Sequence, residues 1–546
     1  MQKILFIIPS NFSYEMFTNV SPLDHSIKKE GKQYNYPVTD IPLGVLSLSA
    51  YLKKYIDIEI KILDFNVILN KIQDFNYSSF SDLHFDYLLK EKLEGFIPDI
   101  IGISTLFITG YSNMIDIANK SRQLFNAIII GGGGIPVNMH ERIFSETNSF
   151  DAFCYGEGEK PLLDLLQSEN KTKLLVNHSS WITKEKSINK NKFKYDFIKN
   201  LNEIPSYDYN LLDLDFYKIK PMLQTYFNHT SKSVLFPYVT SRGCPYKCSF
   251  CASHTVHGRK MRYQSVIRVK EDLLKLKKEF NAEVINFMDD NLSLDADRMI
   301  EILSYAIEIG LHLHFQAGLA VQSLTRKTLE KMKSIGITDI VVPIESGSKK
   351  VLKNIMHKPI DLKMSKQVID DCRELGIETN VCVLIGLPGE TKQDIEDTRQ
   401  FLNSLNANWF RITVATPLVG SKMYNTCIEN NYLTEDITKG NFKNSIITTE
   451  EFIPEYIEET IYEINLEINF VENADMKFGR YEKALKRFNR VFKVKEDHAF
   501  AYYFSAECYW KLEQYDKYNE YMNKYSNIIE QSEFWKKYAI KFGLPV

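Results

Sequence analysis

At 546 residues, 44% hydrophobic and 13% aromatic, the chain is too long for one compact domain and apolar enough for two to four domains with buried cores. Its 67 Lys and Arg nearly balance 70 Asp and Glu, so neither a basic field that recruits nucleic acid nor an acidic solvating chain is expected. The opening "MQKILFIIPSNFSYE" has too short an apolar run for a signal-peptide core, and no run of about 18 apolar residues argues for a membrane span, so a cytoplasmic protein is expected.

Strand-length apolar runs come first: "KILFIIP" (3–9), "IEIKILDF" (58–65), "IIGIST" (100–105), "AIIIGGG" (127–133) and "AFCYGEGE" (152–159). Helical patterns such as "PLGVLSLSAYLKKY" (42–55) and "YSNMIDIANKSRQLF" (111–125) lie between several of them. The alternation predicts an α/β domain over 1–170, a doubly wound, flavodoxin-like parallel sheet. Its strands end in chemistry-bearing residues: Ser104 and Thr105, then Gly131, Gly132 and Gly133, then Gly156, Glu157, Gly158 and Glu159. In an open α/β sheet these ends share the carboxyl edge, where ligands bind, and a glycine edge lets a bulky flat ligand reach the backbone. A flavodoxin-like domain that binds nothing is the competing reading. Residues 171–235 are less regular, rich in Asn, Lys, Asp and Tyr, and read as a connecting segment.

From 236 to 450 six further runs follow, each separated by a helical pattern: "PYVTS" (237–241), "VINFMDD" (284–290), "LHFQAG" (313–318), "DIVVPIES" (339–346), "TNVCVLIG" (379–386) and "WFRITVATP" (409–417). Six βα units in series predict a barrel or partial barrel with its functional groups at the C-terminal strand ends. Asp289, Asp290, Gln316, Glu345 and Ser346 fall there.

The stretch "SRGCPYKCSFCASH" (241–254) holds three of the eight cysteines, Cys244, Cys248 and Cys251. In a reducing compartment such clusters are metal ligands or redox groups more often than disulfides. Three thiolates on one loop can hold three irons of a cubane cluster and leave the fourth iron open. A zinc site closed by His254 or His257 is the alternative.

With its Cys-x3-Cys-x-aromatic-Cys spacing, and Phe250 as the aromatic, "RGCPYKCSFC" resembles the radical S-adenosylmethionine (radical SAM) family. The resemblance implies a partial (βα)6 barrel and a [4Fe–4S] cluster on the three cysteines. It also implies that SAM, bound at the open iron, is cleaved reductively to a 5′-deoxyadenosyl radical. By the same resemblance Phe250, Asp289, Asp290, Glu345, Ser346 and Ile385, in "VLIGLPGE" (383–390), lie around SAM. Helix capping by Asp289 or Asp290 and plain turn roles for Gly386 and Gly389 are the bland alternatives. Arg262, in "GRKMRYQS", matches a recurrent basic position without a role, and "TPLVGS" (416–421) resembles the closing loop.

The N-terminal segments "PDIIGISTLFITGYSN", "IIIGGGGIP" and "DAFCYGEGEKPLLDLL" resemble the cobalamin-binding domain that precedes many radical SAM barrels. The resemblance assigns Ser104, Thr105, Gly131, Gly132, Gly133, Gly156, Glu157, Gly158 and Glu159 to cobalamin. "PSNFSYEMF" has no histidine, so the Asp-x-His-x-x-Gly element that gives cobalt an axial ligand is absent. The activity implied is cobalamin-dependent methylation of an unactivated carbon in a peptide, natural product or carrier-bound intermediate, with a reductant such as flavodoxin or ferredoxin. A cobalamin-dependent cyclase or rearrangement enzyme and a non-catalytic iron–sulfur scaffold are the competing readings.

Beyond 451 the chain becomes helical, aromatic and charged. "FGRYEKALKRF" (478–488) and "LEQYDKYNEYM" (512–522) align at a spacing of 34 residues, the period of a tetratricopeptide repeat, so two such repeats and a partner-docking tail are expected. An ordinary helical hairpin with an aromatic core is the alternative.

Overall fold

The computed structural model describes residues 1–20, 26–218, 234–438, 444–492 and 494–546, so the 219–233 part of the expected connecting segment lies outside the described residues. The N-terminal domain is one sheet in the order Ile58–Asp64, Gln2–Ile8, Ile100–Ser104, Ile128–Gly132, Ala152–Cys154, Trp181–Ile182. All neighbours pair in parallel except the last. Sequence reading missed this two-residue edge strand, too short to show periodicity. The first strand explains the layering. Ile4 and Phe6 enter the core shared with the helix Leu43–Tyr55, while Leu5 and Ile7 enter the core shared with Tyr111–Leu124, so successive side chains feed opposite faces. The strand order reverses between Gln2–Ile8 and Ile100–Ser104, the switch point of a flavodoxin-like sheet.

The second α/β unit has the six expected strands, arranged as two parallel three-stranded halves. One half comprises Leu235–Tyr238, Val284–Phe287 and His312–His314; the other comprises Asp339–Glu345, Glu378–Ile385 and Trp409–Val414. A hydrogen bond from Leu319 N to Val341 O, 2.9 Å, spans the seam between the halves. Along Asp339–Glu345, Ile340, Val342 and Ile344 are buried against helices, while Asp339, Val341 and Pro343 on the opposite face are half-buried and line an open lumen. The two domains are not beads on a string. Ile41, Leu46 and Val67 join the barrel core, and Val419, Ile437 and Ile446 join that of the N-terminal domain.

The tail is helical throughout its described residues and packs against the barrel. Pro454–Leu466 bridges the two: Ile457, Ile461 and Ile464 belong to the barrel core, Leu466 to the tail core. The helices Tyr481–Phe492 and Tyr515–Gln531 begin at the two aligned tyrosines. The seam between tail and barrel is polar. Asp475, 1% exposed, accepts hydrogen bonds from Arg373 (3.1 Å) and from the Asn408 amide (2.9 Å), just ahead of the sixth barrel strand. Asp475→Ala leaves a buried guanidinium without its carboxylate and is expected to cost about 3–5 kcal/mol. Thermal denaturation should show a matching drop in midpoint, and an unchanged midpoint would mean that this seam does not hold the tail.

Candidate active site

The three cysteines follow the short strand Ser241–Arg242, which pairs antiparallel with Arg262–Tyr263 and so anchors both ends of the loop. Gly243 sits at φ +91 with its Cα facing the Lys260 carbonyl; a Cβ there would lie 2.6 Å from that oxygen. The loop is pinned in the middle as well, since Ser249 N donates to Met356 O (2.9 Å) and Ser249 O accepts from Met423 N (2.8 Å). All three cysteines are half-buried free thiols. Burial pushes the Cys248 thiol up to about 11, while Lys358 works against this and the other two thiols add to it. Among the described residues the three sulfurs, alone or with His254 or His257, form no group whose donor atoms all lie within 4.8 Å of one another. His257 is also spoken for, with Nδ1 2.8 Å from Glu157 Oε1.

Around this loop stand several of the expected SAM residues. Glu345 ends its strand at φ +72, a left-handed conformation that a non-glycine residue adopts at a cost of about 1–3 kcal/mol, and such strain clusters at functional sites. Its carboxylate is 2.6 Å from Lys358 Nζ, which lies 5.9 Å above the Phe250 ring. Lys358 was invisible to sequence reading because it follows a π-helical turn, Val351–Ile355, that carries no motif. Asp290 is exposed beside Cys244, and Asn291, unremarked in the sequence, stands near that thiol with its Oδ1 buried and without a protein partner.

Other assignments require correction. Asp289, 1% exposed, accepts hydrogen bonds from Thr240 N (3.1 Å), Thr240 Oγ1 (2.7 Å) and Ser241 Oγ (2.5 Å), so it ties the first two strand ends together instead of facing a ligand. The helix cap expected of Asp289 or Asp290 is Asp295. Ser346 Oγ is buried 3.1 Å from Thr398 Oγ1 and supports the Gly347 turn. Ile385 points into the core and its carbonyl accepts from Ala415 N (2.8 Å).

At the carboxyl edge of the N-terminal sheet the glycines divide by role. A Cβ on Gly131 would lie 2.6 Å from the Phe153 ring, on Gly133 2.5 Å from the Thr105 carbonyl, on Gly156 2.6 Å from Tyr195 and on Gly158 3.1 Å from Leu48. These four are small for packing. Gly132 and Gly134 face open space. Beside them Thr105, 3% exposed, carries a buried Oγ1 with no protein partner, and Ser104 is half-buried in register with Gly132. An open backbone edge next to an unsatisfied hydroxyl is what a large flat ligand would complete.

Glu157 and Glu159 turn out to face the barrel. Glu157 meets Arg242 (3.1 Å), Arg262 (2.5 Å) and His257 (2.8 Å), and Glu159 accepts from Arg242 (2.8 Å) and Ser47 (2.6 Å). Burial opposes ionisation of Glu157, but the Arg242 charge and the hydrogen bonds from Arg262 and His257 prevail and hold it well below the usual carboxylate range. Arg262 thus acquires a role, with its guanidinium stacked 4.2 Å from the Phe197 ring. The glycine edge and the cysteine loop are thereby neighbours: the helix Gly134–Asn138 lies against His254–His257, and Asn138 Nδ2 donates to Thr255 Oγ1 at 3.0 Å.

Comparison with known proteins fits this geometry. Residues 238–402 match the Radical SAM superfamily, and residues 36–166 match the B12 binding domain. The chain thus carries a B12-binding domain followed by a radical SAM domain. An uncharacterized methyltransferase of Pyrococcus horikoshii is 28% identical over 436 residues, 79% of this chain and 84% of that one. Cytidylyl-2-hydroxyethylphosphonate methyltransferase of Streptomyces wedmorensis is 24% identical over 450 residues, 76% and 83% of the two chains. The fold is shared with the radical SAM methyltransferase TsrM of Kitasatospora setae (TM-score 0.55, 13% identity, 97% of this chain and 100% of that one). It is shared too with the radical SAM enzyme OxsB (TM-score 0.59, 15% identity, 97% and 80%). The cofactors of this class are a [4Fe–4S] cluster, SAM and cobalamin.

The two kinds of glycine give a test. Gly132→Leu, projecting into open space, should lower cobalamin uptake about tenfold or more with little change in thermal midpoint. Gly131→Leu, driven into Phe153, should instead lower the midpoint, an overpacking cost of about 1–3 kcal/mol. Equal cobalamin uptake by Gly132→Leu and the wild type, measured by the bound corrin absorbance, would remove this edge from the cobalamin site.

Proposed function

We propose that this radical SAM enzyme consumes SAM twice per turnover, as methyl donor and as radical source, and methylates an unactivated carbon of a peptide, natural-product or carrier-bound substrate. The observation that carries this reading is the contact of the two sites: the glycine edge of the B12-binding domain abuts the cysteine loop through Asn138–Thr255 and the Glu157–Arg242 pair. When bound, the cluster supplies the electron that cleaves SAM, and the cobalamin carries the methyl group.

The chain's own residues do the rest. Cys244, Cys248 and Cys251 hold three corners of the cluster and leave the fourth to SAM. Glu345, held by Lys358, presents a carboxylate at the mouth of the lumen, and the Phe250 ring lies against the same ammonium. Thr105 Oγ1 offers a donor and acceptor to the corrin side, while Gly132 and Gly134 admit it to the backbone. The closing loop shields the junction, since Gly420 packs on Asn138 and Val419 sits in the N-terminal core. Exclusion of water there protects a radical from quenching.

Relatives support methyl transfer, being named as methyltransferases of cytidylyl-2-hydroxyethylphosphonate and of bacteriochlorophyllide d. A second reading has its own support: an anaerobic magnesium-protoporphyrin IX monomethyl ester cyclase of Rubrivivax gelatinosus is 23% identical over 337 residues, 60% of this chain. Turnover needs a reducing partner such as flavodoxin or ferredoxin. Eight free cysteines favour a cytoplasmic site, and among the described residues no helix is long and apolar enough to cross a membrane. The 34-residue offset of the helices starting at Tyr481 and Tyr515 favours a tetratricopeptide-like tail that docks a peptide or carrier.

The reaction types separate by their products. Methyl transfer should release S-adenosylhomocysteine and 5′-deoxyadenosine in about equal amounts and carry label from the SAM methyl group into product. Deoxyadenosine alone, with substrate turned over, would establish the cyclase reading.

A further inference from the structure

The cluster loop is basic out of proportion to the chain. Residues 241–262 hold five arginines and lysines and no carboxylate, although the whole chain is formally −3. Arg242 and Arg262 are taken up by Glu157 and Glu159, whereas Lys247, Arg259 and Lys260 are exposed. A second basic strip, "NKNKFKYDFIK" (189–199), turns the rings of Phe193, Tyr195 and Phe197 into one aromatic stack with Tyr155 and leaves Lys192, Lys194 and Lys199 exposed. Its one acid, Asp196, is paired with Lys160.

The two strips form one surface. Tyr195 Oη donates to His254 O (2.9 Å) and Arg262 Nη1 to Ile198 O (2.9 Å), so residues 195–198 run along 254–262. Arg259 in turn donates to Tyr246 O, which sets the basic pair 259–260 beside Lys247. Lys247 immediately precedes Cys248, with its Cα about 3.8 Å from that of the cysteine. Among the described residues none of these six cations pairs with a carboxylate. None of the exposed large apolar side chains falls in either strip. Such a face suits a partner held by charge and released quickly, as in the small interfaces of electron-transfer pairs, and not an obligate apolar contact.

We propose that this basic face, formed by Lys192, Lys194, Lys199, Lys247, Arg259 and Lys260, docks an acidic flavodoxin that reduces the cluster. The donor's task rests on the radical SAM reading above; the charged face does not. In the docked pair one electron leaves the fully reduced flavin anion, which becomes neutral, and enters the oxidised cluster; no proton moves. Acidic side chains on the donor meet cations that have no carboxylate of their own, which steers the encounter and fixes its register. The flavin is thereby brought to the side of the loop one residue from Cys248.

The test uses the full-length, cluster-reconstituted protein, with purified flavodoxin as the probe and neither SAM nor cobalamin present. Calorimetry reads the binding of oxidised flavodoxin at low and at high salt, and stopped-flow absorbance reads cluster reduction by fully reduced flavodoxin. The wild type should bind saturably at low salt and weakly at high salt. The triple variant Lys192→Glu, Lys194→Glu, Lys247→Glu should bind flavodoxin and accept its electron about 10–100-fold less well, with reduction by methyl viologen unchanged. Should the triple variant load less cluster, the double variant Lys192→Glu, Lys194→Glu, outside the cysteine loop, decides. No binding by the wild type, or equal binding by wild type and variant, overturns the face. So does displacement of flavodoxin by a single-stranded oligonucleotide that binds more tightly, which would make the face a nucleic-acid site. A protein that docks flavodoxin through these lysines but never cleaves SAM keeps this face and loses the radical SAM reading. One that cleaves SAM with methyl viologen but binds flavodoxin equally with and without the lysines does the reverse.

Discussion

The buried carboxylate of Glu157, held between Arg242 and Arg262, is the constraint on which the site depends. Glu157 leaves the end of a strand in the B12-binding domain, and Arg242 stands two residues before Cys244 on the cluster loop. Any rotation of one domain against the other would strand this charge in a water-poor interface, at a cost of about 3–5 kcal/mol for an unpaired member. The ring stack Tyr155, Tyr195 and Phe197, with centroids 4.6 and 4.5 Å apart, covers the network and continues onto the Arg262 guanidinium. Electrostatics and stacking thus fix the same geometry, and the open glycine edge inherits its position next to the cysteines from it.

That geometry sets the glycine edge and the cysteine loop side by side. The cluster loop is pinned from the barrel by Met356 and from the closing loop by Met423, while the glycine helix is held by Asn138. Glu345 holds a left-handed backbone conformation beside Lys358. A reaction through a free radical gains from such pinning, because a reactive centre that can wander will meet the wrong hydrogen or a water.

Much of this was legible in the sequence, for physical reasons that also set the limit. Strands buried on both faces read as unbroken apolar runs, so all six barrel strands and the first five of the N-terminal sheet were found near their observed positions. The Cys-x3-Cys-x-aromatic-Cys spacing is local and so is read directly from the sequence. What failed was partner choice over long range. "GEGE" looks like a ligand loop, but its two carboxylates meet arginines that lie 83 to 105 residues further along the chain. Asp289 ends a strand where a ligand contact is expected, yet the hydroxyls of Thr240 and Ser241 claim it. Of the glycines, the sequence cannot say which are small to receive a ligand and which to receive Phe153 or Tyr195. Lys358 and Asn291 carry no motif, and only the fold brings them to the cysteine loop.

The central claim is that the Glu157 network holds the corrin edge and the cluster face to face. Pulsed electron paramagnetic resonance on protein loaded with cob(II)alamin and the reduced cluster reads their spin–spin coupling directly, with no need for a substrate. The account predicts a clear coupling in the wild type that weakens and broadens in Glu157→Gln, with both groups still bound. An identical coupling in the two proteins would contradict it.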